Sequence, residues 1–125
     1  MEPPACSSLP PAFWQGVAQF NAQEFYACHD TLEDLWMEAL DPDRTFYQGV
    51  LQIAVALYHR SHGNVKGAMT LLGEGIGRLG SYQPAYGGLE VTQLLTEGRL
   101  LLGELQTQGQ SDRTLTLQIT QPTTE

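Results

Sequence analysis

The chain has 125 residues, 42% of them hydrophobic, which is enough to fill one core and too little to build two domains. Only six Lys and Arg stand against fourteen Asp and Glu, for a formal net charge of −8. So acidic a surface argues against nucleic acid and against anionic membranes as partners, because both must be met by clustered cations.

Residues 1–11 carry Pro3, Pro4, Pro10 and Pro11 and little to bury, which predicts an irregular leader. They lack the basic start of a signal peptide, and no apolar run approaches the roughly 20 residues of a membrane span, so the expected location is the cytoplasm. Cys6 and Cys28 form no CxxC pair, and Cys28 falls where a small core residue belongs.

A helical domain is expected over residues 12–106. Its first helix covers residues 12–21. The second, over 24–40, repeats Phe25, Cys28, Leu32, Leu35, Trp36 and Ala39 at three- and four-residue steps. Asp41-Pro42-Asp43 stops it, and Asp43 is placed to cap a third helix over 43–62. Gly63-Asn64 ends that helix and caps a fourth over 65–79, whose apolar face is Val65, Ala68, Met69, Leu72, Ile76 and Leu79. A turn-rich link over 80–88 leads to a fifth helix over 91–106, marked by Val91, Leu94, Leu95, Leu101, Leu102 and Leu105. The fold class predicted is all-α, a compact bundle of about five helices with the third at its centre. The polar residues 107–125 are expected as a disordered tail, although Leu115, Leu117 and Ile119 alternate as an edge strand paired with another molecule would.

Gly75-Ile-Gly77-Arg-Leu-Gly80 has the spacing of a dinucleotide fingerprint but lies inside the fourth helix, with no strand before it, so it predicts no nucleotide site. Helical angles are more informative. With Phe25 at 0°, the apolar arc of the second helix runs from about 280° to about 60°. His29 falls inside this arc near 40°, and Glu33, one turn later, falls near 80°. The third helix is apolar almost all round, and its narrow polar stripe holds Gln48, Gln52 and His59 within about 40° of one another. Two polar groups carried into a core should face each other, which predicts one patch containing His29, Glu33, Gln52 and His59. Trp14, Trp36 and the tyrosines at 26, 47 and 58 are read as packing residues.

These residues form a recognisable signature: Phe20-Asn21-x-x-Glu24-Phe25-x-x-x-His29-Asp30-x-Leu32-Glu33-x-Leu35-Trp36, then Gln48-Gly49-x-x-Gln52-x-Ala54-x-Ala56-x-x-His59, then Gly63-Asn64. The pattern resembles the small prokaryotic helical family known as domain of unknown function 309. The likeness extends over residues 13–95, through Tyr82-x-Pro84 and Gly88-Leu89-Glu90-Val91. It implies an all-α fold and signature roles for Glu24, His29, Glu33, Trp36, Gln48, Gln52 and His59, and it supplies no activity.

Two functions compete. One is an interaction or scaffold module with a buried His/Glu/Gln cluster, acting on a protein partner or a second copy of itself. The other is a divalent-metal or small-ligand site between the second and third helices, hydrolytic in one version, with His29, Glu33 and His59 as metal ligands.

Overall fold

The apolar spacings become five helices in the computed structural model, which describes residues 9–118. α1 spans Pro11–Asn21, α2 Phe25–Glu38, α3 Asp43–Ser61, α4 Val65–Leu79 and α5 Val91–Gln108. Between α4 and α5 lie a 3-10 turn, Gly80–Tyr82, and a hairpin of β1 (Ala85–Tyr86) and β2 (Leu89–Glu90). The two strands run antiparallel, Ala85 opposite Glu90 and Tyr86 opposite Leu89. Among the described residues, no helix is long and apolar enough to cross a membrane.

The helix ends follow local chemistry. Pro11 opens α1, where its missing N–H costs nothing. Asn64 caps α4 as expected, its Oδ1 accepting from the Gly67 N–H at 2.9 Å. The start of α3 differs from expectation. Asp43 is the first helical residue, and the acceptor is Asp41, whose Oδ1 takes the Thr45 N–H at 2.9 Å and the Thr45 hydroxyl at 2.6 Å. Asp43 accepts instead from the Tyr86 hydroxyl. The α1–α2 and α3–α4 turns are built alike. Glu24 N–H donates to Gln19 O and Asn64 N–H to His59 O, with Gln23 and Gly63 in the left-handed region at φ 64° and 80°.

Each helix packs on the next, and α3 lies between α2 and α4. Its Phe46, Tyr47, Val50, Ile53, Ala54, Ala56 and Leu57 are all buried, which is the central position predicted for a helix apolar on nearly every side. Against α4 the approach is close enough that a Cβ at Gly49 would meet Leu79 Cγ at 2.7 Å.

As far as residue 118, the tail differs from the disordered one expected. α5 continues to Gln108, Gly109 turns the chain at φ 74°, and residues 111–118 run back across the bundle. Leu115 and Leu117 are buried in the core, while Thr114, Thr116 and Gln118 are exposed, so the alternation is that of a strand whose inner face has found a seat. Side chains supply most of its backbone partners, and the Glu90 N–H of β2 donates to the Gln118 carbonyl at 3.1 Å. Asn21 accepts from the Leu117 N–H at 2.8 Å and donates to its carbonyl at 2.9 Å, while Arg60 donates to Arg113 O at 2.8 Å. Arg113 grips Glu104 at 2.6 Å and Glu97 at 3.2 Å. Ile119 and most of the Pro-rich leader, with Cys6, lie outside the described residues. Leu9 lies within them, and it is buried.

Candidate functional site

α2 and α3 run antiparallel, so the start of α2 faces the end of α3. Tyr26 and His29 thereby meet Val55, Tyr58 and His59 around a groove of about 130 Å³. The Tyr26 and Tyr58 ring centroids are 5.8 Å apart, at 45° to each other. His29 extends one wall, 5.7 Å from Tyr26, and His59 lies 6.0 Å from Tyr58. His62 stacks behind Tyr58 at 4.3 Å and donates through Nδ1 to the Tyr58 carbonyl at 3.0 Å. Val55 supplies the aliphatic part.

Two carboxylates flank His29. Asp30 Oδ1 is 3.3 Å from its Nδ1, and Glu33 Oε1 is 3.9 Å from its Nε2. Neither is a hydrogen bond, since the first has the wrong angle and the second is too long, and Nδ1 is buried without a hydrogen-bonding partner among the described residues. The turn thus presents an imidazole and two acids with ligand atoms mutually within 4.8 Å.

The expected patch is brought together only in part. His29 and His59 line one groove, with Glu33 beside His29, but Gln52 turns to α4. It donates to Glu74 Oε1 at 3.0 Å and accepts from Arg78 Nε at 2.9 Å. The reason is axial. Gln52 and His59 share a stripe, yet seven residues at 1.5 Å each set them about 10 Å apart along α3. Gln48 is half-buried one turn before Gln52, farther still from the groove. Glu24 is exposed at the head of α2, where its carbonyl accepts from the Cys28 N–H. Trp36 sits at the opposite end of α2, with the Arg44 guanidinium 4.4 Å over its ring. Of the candidate metal ligands His29, Glu33 and His59, the last stands outside the close donor group, and Asp30 takes its place.

Tyr26 and Tyr58, read above as packing residues, line this groove together with Val55. Tyr26 is 61% exposed. Its helical angle carried the signal, since 100° places it beyond the apolar arc and next to Glu33. Cys28, by contrast, is a core residue, its thiol pushed up to about 12 by burial and therefore no nucleophile at neutral pH. A larger trough of about 640 Å³ between α1 and α2 is lined by exposed Gln15, Asp34, Met37 and Glu38 and contains none of the imidazole or aromatic groups.

The stretch carrying all of this geometry can be compared with known proteins. Residues 13–71 match the family described as domain of unknown function (DUF309). That match covers most of α1, all of α2 and α3 and the first half of α4. Tyr82-x-Pro84 and Gly88-Leu89-Glu90-Val91 lie beyond the DUF309 match. The uncharacterized protein YpuF of Bacillus subtilis (strain 168) is 35% identical over 71 residues. These make up 54% of this chain and 40% of YpuF, so the chain spans less than half of that relative's length. The DUF309 description names no activity.

Proposed function

We propose that the protein is an interaction module that receives one side chain of a partner protein in the groove between α2 and α3. The observation that carries this reading is Tyr26, a ring 61% exposed that nonetheless forms a wall of an aromatic groove. Burying such a ring in a partner contributes large apolar area at low entropic cost, and for that reason tyrosine is favoured at interfaces. Size argues in the same direction. Sites for whole metabolites run to about 300–1,000 Å³, whereas about 130 Å³ suits a single side chain.

The test is selection of a displayed random-peptide library on the full chain, followed by nuclear magnetic resonance mapping of the selected peptides. Peptides that shift Tyr26, Val55, Tyr58 and His59, and lose affinity with Tyr26→Ala, support the reading. Peptides that map elsewhere, or a library that yields none, overturn it.

A second reading has its own observation, the approach of His29, Asp30 and Glu33 donors to within 4.8 Å, which suits a divalent cation. Tag-free protein titrated with zinc or manganese then takes up one equivalent, and His29→Ala abolishes the uptake. Uptake unchanged in that variant removes this reading.

A further inference from the structure

We infer that the side chain taken up by this groove is an arginine of a basic peptide, an inference that rests on the docking reading above and assigns its partner's chemistry. A guanidinium has three parts to satisfy, and the groove offers a match to each. Its flat cation is attracted to ring faces when it lies within about 6 Å of a centroid. The Tyr26 and Tyr58 centroids, 5.8 Å apart and tilted at 45°, let a single cation meet both faces. Its three-carbon stem needs apolar cover, which Val55 and the ring edges provide. Its five donors need acceptors, and Asp30 and Glu33 flank His29 just beside the groove, with side chains 61% and 44% exposed and free to reach a guanidinium at its mouth. Both retain lone pairs for a forked donor that a compact ammonium would use less well.

The surrounding charges favour the same occupant. The chain carries −8, which draws basic segments toward it. The nearest permanent cation on α3, Arg60, is turned away to donate to Arg113 O. The protein already makes one guanidinium–ring contact, with Arg44 over Trp36 at 4.4 Å.

The experiment titrates the full chain with four capped tripeptides, Gly-X-Gly, in which X is arginine, lysine, citrulline or leucine, and follows the Tyr26, Val55 and Tyr58 signals. Citrulline has nearly the shape of arginine without its charge. The arginine peptide is expected to bind weakly, near millimolar, and citrulline and leucine at least about tenfold more weakly. Tyr58→Leu should abolish the shifts, and Glu33→Gln should weaken binding about threefold to tenfold, with the rest of the spectrum unchanged. Equal binding of arginine, citrulline and leucine overturns the cationic assignment and leaves the docking groove standing. Lysine binding as tightly as arginine overturns the guanidinium. Shifts scattered over the acidic surface and insensitive to Tyr58→Leu overturn the site for arginine altogether. Library-selected peptides that map to the groove yet contain no basic residue overturn the cation alone, whereas selected peptides that map elsewhere overturn the docking reading itself.

Discussion

Gly75 of α4 rests on the backbone of Gly49 of α3, so close that a Cβ at position 75 would stand 2.8 Å from the Gly49 carbonyl oxygen and 2.8 Å from Ile53 Cγ1. Two turns of helix interlock there, and neither backbone can retreat without moving its helix. Gly77, two residues on, has nothing within 4 Å of the same position. Gly75→Ala is therefore expected to destabilise by about 1–3 kcal/mol through overpacking. Gly77→Ala is expected to stabilise by up to about 1 kcal/mol, because alanine gives up less backbone entropy in a helix interior. Urea unfolding of the two variants decides the matter, and shifts of the same sign would refute the close approach.

The segment at residues 111–118 is expected to contribute to stability. Leu115→Ala and Leu117→Ala each remove a buried side chain and should cost about 2–5 kcal/mol. Asn21→Ala strips the Leu117 backbone of both side-chain hydrogen bonds and should cost about 1–3 kcal/mol. Denaturant midpoints unchanged in all three variants would show the segment to be detached in solution.

Acid should loosen the same segment. Hydrogen bonds from Arg113 and Ser111 hold the Glu104 carboxyl below its ordinary value of 4.5. A carboxylate with a depressed value stabilises the fold fully above 4.5, and that contribution is lost as the pH falls through the depressed value. Glu104→Gln should lower stability at pH 7 and flatten its decline between about pH 5 and pH 3. Melting temperatures across that interval provide the check, and an unchanged slope would count against the clasp.

In the groove, stability and docking should separate. Tyr26→Ala touches an exposed ring and is expected to alter stability by no more than about 0.5 kcal/mol while removing peptide binding. Glu33→Ala should also stay within about 1 kcal/mol, since its carboxylate is 44% exposed and its 3.9 Å approach to His29 is too long for a hydrogen bond. A loss of several kcal/mol in either variant would mark the cluster as structural cement.

Helical periodicity made the bundle readable, down to the limits of α4 and the central place of α3, because burying one face is the term that decides where a helix sits. The groove was half readable. His29 and Glu33 share a helical turn and were expected to meet, but angle alone carries no height, and the height along α3 separates Gln52 from His59. Leu115 and Leu117 displayed a strand's alternation without a visible partner. The partners are the side chains of Asn21 and Arg60 together with the Glu90 N–H of β2, and a pattern that looks for ladders of backbone groups does not anticipate side chains standing in for most of a strand.

The clamp on Leu117 also sets an order of assembly. Asn21 and Leu117 are 96 residues apart in the chain, whereas the α1–α2 and α3–α4 turns close over a handful of residues. Local turns form first and distant closures last, because loop entropy must be overcome before a remote contact can form. As the chain leaves the ribosome, α1 through α4 can pair before the polymer reaches position 115. Until then the seat of Leu115 and Leu117 is bare apolar surface, and the chain is most open to a wrong partner in the interval before position 117 is made.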